Sequence, residues 1–242
     1  MPDPDPEPDI ETGAVHPLDD LQAMAMQAVP VDDGLEHVEL YTPKGLLTLL
    51  WHGSREAEAF VVCVGGAMGG LLGPDGGVYH RLGRSLAERG LGVIRVSYRC
   101  PNDLDLCVTD TLAAVELAFR HGGRRFVTVG HSFGGAVAVR AAAHAEPARA
   151  PGVVTLATQT AGCEPISEMG DRRFLFIHGT ADQILPHQAS ELVRYLAGTG
   201  ELVLLDGADH LLAPAGAEVT ERLVAWLPET LAVPDDPAPT SD

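Results

Sequence analysis

A chain of 242 residues, 45% of them hydrophobic, has enough apolar material for one α/β domain with a full core and is short for two. Its formal net charge of −18 gathers at the ends: residues 1–20 hold seven acids and 231–242 three, with no Lys or Arg in either, which leaves 24 acids against 16 bases between them. An acidic body argues against nucleic acid or an anionic membrane as partner, and no run reaches the roughly 20 apolar residues of a bilayer span.

The opening MPDPDPEPDI has neither the basic flank nor the apolar stretch of an export signal. Residues 1–16 and 231–242 read as disordered acidic tails around a single domain, 17–230. Cys63, Cys100, Cys107 and Cys163 show no CxxC spacing and read as reduced core thiols, so the expected location is cytoplasmic. PLDDLQAMAMQA (17–28) predicts a short helix, with Asp19 and Asp20 in its first turn. VELYTP and LLTLLWH predict a hairpin, AFVVCVG a buried strand, VYHRLGRSLAERG a helix closed by Gly90, and GVIRVSYR another buried strand. The alternation continues: a helix over DLCVTDTLAAVELAFRHGG, a strand over RFVTVG, an Ala-rich helix over 136–145, and strands over GVVTLAT and RFLFIHG. HQASELVRYLAG (helix), ELVLLDG (strand) and AGAEVTERLVAWL (helix) complete the series. Strands that alternate with helices of this length imply right-handed crossovers and a mainly parallel sheet with both faces covered. In such sheets ligands bind beyond the carboxyl ends of the strands, so the loops there are where chemistry is expected.

VTVGHSFGGAVAV (127–139) places Ser132 on a strand-to-helix turn, with Gly130 and Gly134 two residues to either side. That is the layout of a nucleophile elbow, whose strained serine tolerates only small neighbours. A serine hydroxyl needs a general base, and the base needs a buried acid to fix its tautomer. His210, after the strand ELVLLDG, and Asp182, after RFLFIHG, fill those roles in the chain order Ser132, Asp182, His210. Asp206 and Asp209 are rival acids but stand too close along the chain to reach the far ring nitrogen of His210. His131 and His178 read as structural residues beside the site. The loop GGAMGG (65–70) lacks the spacing of a phosphate cradle. It suits an oxyanion hole, with backbone N–H groups from Phe133 and Ala67, Met68 being the fallback for the second donor. No H-E-x-x-H and no paired cysteines suggest a metal, and no cofactor is expected.

Together, G-H-S-F-G-G (130–135), H-G-T-A-D (178–182), the Asp209-His210 pair and the Gly-rich loop resemble the α/β-hydrolase fold superfamily over about residues 37–230. The resemblance implies an eight-stranded, mostly parallel sheet and an acyl-serine intermediate at Ser132. Gly65-Gly66 stands where relatives carry His-Gly, which leaves the choice between Ala67 and Met68 open. About a dozen residues, Gln159 to Gly170, occupy the place where many relatives insert a helical cap, so an open cleft without a sizeable cap is expected. Met68, Leu71, Leu72, Tyr79, Tyr98, Phe133, Ile184 and Leu185 could line it. The leading reading is a serine hydrolase (esterase or thioesterase) acting on a small, solvent-projecting or carrier-bound ester or thioester. Acyl transfer to an alcohol or amine, release to peroxide, and a non-catalytic binding protein are the alternatives. Oligomeric state is not legible.

Overall fold

A computed structural model describes residues 16–232; the tails expected at 1–15 and 233–242 lie outside the described residues. Nine strands form one sheet: β1 (Ala25–Asp32), β2 (Leu35–Thr42), β3 (Gly45–His52), β4 (Ala59–Val64), β5 (Gly92–Ser97), β6 (Arg125–His131), β7 (Gly152–Leu156), β8 (Arg173–Gly179) and β9 (Glu201–Leu205). Their order is β1-β2-β3-β5-β4-β6-β7-β8-β9. The pairings from β1 through β3 to β5 are antiparallel, and those from β5 through β4 to β9 are parallel. The helices are α1 (Pro17–Asp20), α2 (Val78–Ala87), α3 (Leu104–Arg120), α4 (Phe133–Ala143), α5 (Gln188–Ala197) and α6 (Gly216–Leu231).

The parallel strands are continuous apolar runs because both of their faces are covered. Trp51, Phe60, Val62, Ile94 and Phe126 pack under α3 and α4 on one side, and Val61, Val93, Val127 and Leu175 pack under α2 and α6 on the other. Asp103 caps α3 by accepting from the Leu106 N–H at 3.1 Å. A buried ion pair, Arg99 Nε to Asp110 Oδ1 at 2.5 Å, fastens α3 to the end of β5. From β4 the chain first turns outward to β5 and then returns past β4 to β6. The reversal opens a crevice beyond the carboxyl ends of β4 and β6, where ligands bind in sheets of this kind.

Three expectations are corrected. Residues 17–28 are not one helix: only Pro17–Asp20 is helical, and Ala25–Asp32 is strand β1, which brings the sheet from the expected eight strands to nine. All eight β1 residues are exposed, so backbone pairing with β2, and not burial, makes the strand, and burial is what a side-chain pattern registers. Cys100 is exposed, unlike Cys63, Cys107 and Cys163, which are buried and free. The C-terminal boundary moves out slightly, since Leu231 is buried in α6 and Arg125 binds the Ala232 carbonyl at 2.8 Å.

Candidate active site

Each side chain of the site hangs on a strand end. Ser132 follows β6 directly and begins α4 with φ +58° and ψ −123°, a conformation that costs a residue with a β-carbon of order 1–3 kcal/mol. Neighbouring backbone enforces it: the Ser132 N–H donates to Leu156 O at 2.8 Å, and Ser132 O accepts from the Gly135 N–H at 2.9 Å. The two glycines of the elbow are steric requirements. A β-carbon on Gly130 would overlap the Gly134 carbonyl, and one on Gly134 would overlap the carbonyl of Gly65. The second contact presses the loop after β4 against the start of α4, and it leaves Gly66 beside Ser132. Two buried tyrosines hold the loop from behind, Tyr79 donating to Val64 O at 2.8 Å and Tyr98 to Gly65 O at 3.2 Å.

The loops after β8 and β9 are stitched together, Thr180 N–H to Leu205 O at 2.9 Å and Ala181 N–H to Ala208 O at 3.0 Å. This brings Asp182 and His210 side by side across 28 residues of sequence. His210 Nε2 lies 3.0 Å from Ser132 Oγ, and His210 Nδ1 lies 2.7 Å from Asp182 Oδ2. The Asp182 side chain is fully buried, and that of His210 is 12% exposed. Burial works to raise the Asp182 carboxyl, but the Leu185 N–H, His210 and the Ile184 N–H outweigh it and hold the group below the usual carboxylate range. The rival acids have other work. Asp209 Oδ1 accepts from the Leu211 and Ala213 N–H groups at 2.9 and 3.0 Å, and Asp206 accepts from Thr180 at 3.2 Å.

His131 is buried, which pushes its imidazole down to about 4 and keeps it neutral near pH 7. Its Nε2–H donates to the carbonyl of His210 at 2.8 Å, a bond that ties the base loop to β6. Among the described residues, the Phe133 and Ala67 N–H groups have no backbone or side-chain acceptor. Of the residues expected to line a pocket, Tyr79 is wholly buried, Tyr98 and Phe133 are nearly so, and Leu71 and Leu185 are half-buried. Met68, Leu72 and Ile184 are exposed, as is Leu211 in the loop after β9. Between β7 and β8 the chain forms only a five-residue 3₁₀ turn, Glu164–Glu168, and no covering domain. Sequence reading missed Ser190, whose hydroxyl lies 2.7 Å from His178 Nδ1. Ser190 is buried one turn before Val193 on α5, a placement that nothing in the sequence marks. No three metal-ligating side chains converge among the described residues, and no helix there is long and apolar enough to cross a membrane.

A reversing parallel sheet with a strained serine after β6, a buried carboxylate after β8 and a histidine after β9 defines a protein of the α/β-hydrolase class. Residues 73–216, more than half of the chain, match the model of the alpha/beta hydrolase family, and the chain belongs to that family. No curated protein matches the sequence. Among solved structures, Est1E from Butyrivibrio proteoclasticus superposes with a TM-score of 0.69 at 16% identity, covering 81% of this chain and 99% of its own. Dienelactone hydrolase from Anabaena variabilis gives 0.69 at 17% identity, over 86% and 99% of the two chains. XC6422 from Xanthomonas campestris, described as a serine hydrolase without a lid, gives 0.63 at 21% identity, over 86% and 100%. At these identities the likeness speaks for the fold.

Proposed function

We propose that the protein is a serine hydrolase that cleaves a carboxylic ester or thioester through an acyl-Ser132 intermediate. The observation that carries this is the unbroken chain of contacts from Ser132 Oγ to His210 Nε2 at 3.0 Å and from His210 Nδ1 to Asp182 Oδ2 at 2.7 Å. Asp182 holds the proton of His210 on Nδ1, so Nε2 is free to take the serine proton as Oγ attacks the acyl carbon. The C–O or C–S bond then breaks, and His210 returns the proton to the leaving group. Water, activated in the same way, releases the acid. The unengaged N–H groups of Phe133 and Ala67 would serve the charge that develops on the carbonyl oxygen, with the equally unengaged N–H of Met68 as the fallback second donor. The lack of a covering domain between β7 and β8 suits an ester or thioester that is small, or one whose remainder projects into solvent or hangs on a carrier. No part of this scheme calls for a metal or cofactor.

The test is hydrolysis of 4-nitrophenyl acetate and of an acyl thioester in ¹⁸O-labelled water, by wild type and Ser132→Ala. The expected result is saturable release of phenol or thiol with ¹⁸O in the acid, and a loss of at least about 10³-fold in the variant. Equal rates for the two proteins would sink the proposal, and acyl groups recovered only as the ester of an added alcohol, with no acid formed, would reassign the enzyme as an acyltransferase.

A further inference from the structure

The Asp182 carboxylate is not reserved for His210. Oδ1 accepts from the Ile184 and Leu185 N–H groups at 2.8 and 2.9 Å, and Oδ2 accepts from both His210 Nδ1 at 2.7 Å and His178 Nε2 at 3.1 Å. Four donors therefore occupy the two oxygens, which is the full capacity of a carboxylate. His178, the next-to-last residue of β8, is wholly buried, as is Ser190 on α5.

The protonation of this second histidine follows from its partners. His178 Nε2 lies 3.1 Å from Asp182 Oδ2 and 3.1 Å from Leu185 O, and both of these oxygens only accept, so Nε2 carries the hydrogen. Burial, ahead of every other influence, pushes its imidazole below the ordinary histidine range, and the ring is neutral. Nδ1 then has a lone pair, and the Ser190 hydroxyl donates to it at 2.7 Å. The titratable groups that face His178 are Asp182 from its own loop, His210 from the loop after β9 and His131 from the end of β6; α5 contributes only the serine hydroxyl.

On the reading that Asp182 orients His210, we propose that His178 and Ser190 are positioning residues, which fix the Asp182 carboxylate and limit how much of its negative charge His210 experiences. A carboxylate oxygen that already holds one N–H stabilises an imidazolium less than a bare one. The shared oxygen thereby divides its charge between the N–H groups of His178 and His210. Removal of the His178 donor has a signed consequence: the His210 imidazolium becomes better stabilised, and the acidic limb of the rate profile moves to higher pH.

The experiment records kcat/KM for 4-nitrophenyl acetate against pH in the full chain, for wild type, His178→Leu, His178→Gln and Ser190→Ala, with circular dichroism as the check on folding. Labelling of wild-type Ser132 by a fluorophosphonate is run alongside. His178→Leu is expected to lose about 10- to 100-fold, chiefly in kcat, and to show the limb at higher pH. Ser190→Ala is expected to shift it less in the same direction, and His178→Gln, whose amide still donates, to restore it. A folded His178→Leu with a wild-type limb overturns the inference, whether its rate falls or not. If that variant does not fold, an unmoved limb in Ser190→Ala overturns it instead. Unlabelled wild type would remove the hydrolase reading and this inference together, whereas labelled wild type with unmoved limbs removes this inference alone.

Discussion

At the scale of residues, the site is built by backbone constraint before it is built by chemistry. Ser132 is held at φ +58° by bonds on both of its sides, and the glycines at 130 and 134 exist because carbonyl oxygens occupy the space where their β-carbons would stand. This is why Ser132, Asp182 and His210 could be read from sequence. A strained turn leaves glycines at fixed offsets, and the residues proposed as acid and base each follow a strand whose apolar run is easy to see. Gly134→Ala tests the steric half of the account. Its methyl would meet the Gly65 carbonyl, so the loop after β4 must retreat from Ser132. We expect a loss of about 1–3 kcal/mol in denaturant unfolding, with a drop in kcat larger than any change in KM. An alanine variant with wild-type stability and rate would show that the contact does not set the loop. The hydroxyls of Tyr79, Tyr98 and Ser190 were not legible, because each depends on which face of an element turns inward and which carbonyl or ring it then meets.

At the scale of elements, the parallel strands and the long helices announce themselves through burial, and the one element without burial did not. Strand β1 is exposed along its whole length and pairs only with β2, so Met24, Met26 and Val29 carry no inward period, and the segment read as a helix. Pro30 lies past the expected helix end at residue 28 and so did not speak against that reading. The short passage between β7 and β8 was legible because a missing insertion is a matter of length alone. Packing between elements also rests on one polar contact invisible in sequence, the pair of Arg99 and Asp110, with Arg99 only 3% exposed. Burial raises the Asp110 carboxyl above its ordinary range in spite of the guanidinium beside it. Asp110→Asn would leave the Arg99 charge buried without a counter-ion. It should cost about 3 kcal/mol by urea unfolding, and a loss under about 0.5 kcal/mol would mean that the pair contributes little to holding α3 on β5.

At the scale of the whole molecule, topology decides where chemistry can occur. The reversal between β4 and β6 opens the crevice, and four loops at one end of the sheet deliver the Gly-rich turn, Ser132, Asp182 and His210 into it. No separate domain covers this end of the sheet between β7 and β8, and its loops expose apolar side chains such as Met68, Leu72, Ile184 and Leu211. The choice of substrate is accordingly the least legible property of the sequence, and the activation of Ser132 is the most direct claim to examine. The decisive measurement is covalent labelling by a fluorophosphonate, read by intact mass and peptide mapping, on wild type, Ser132→Ala and His210→Ala. The account predicts one adduct, on Ser132, in wild type and none in either variant. Folded wild-type protein that stays unlabelled, or a His210→Ala variant that labels as fast as wild type, would contradict it.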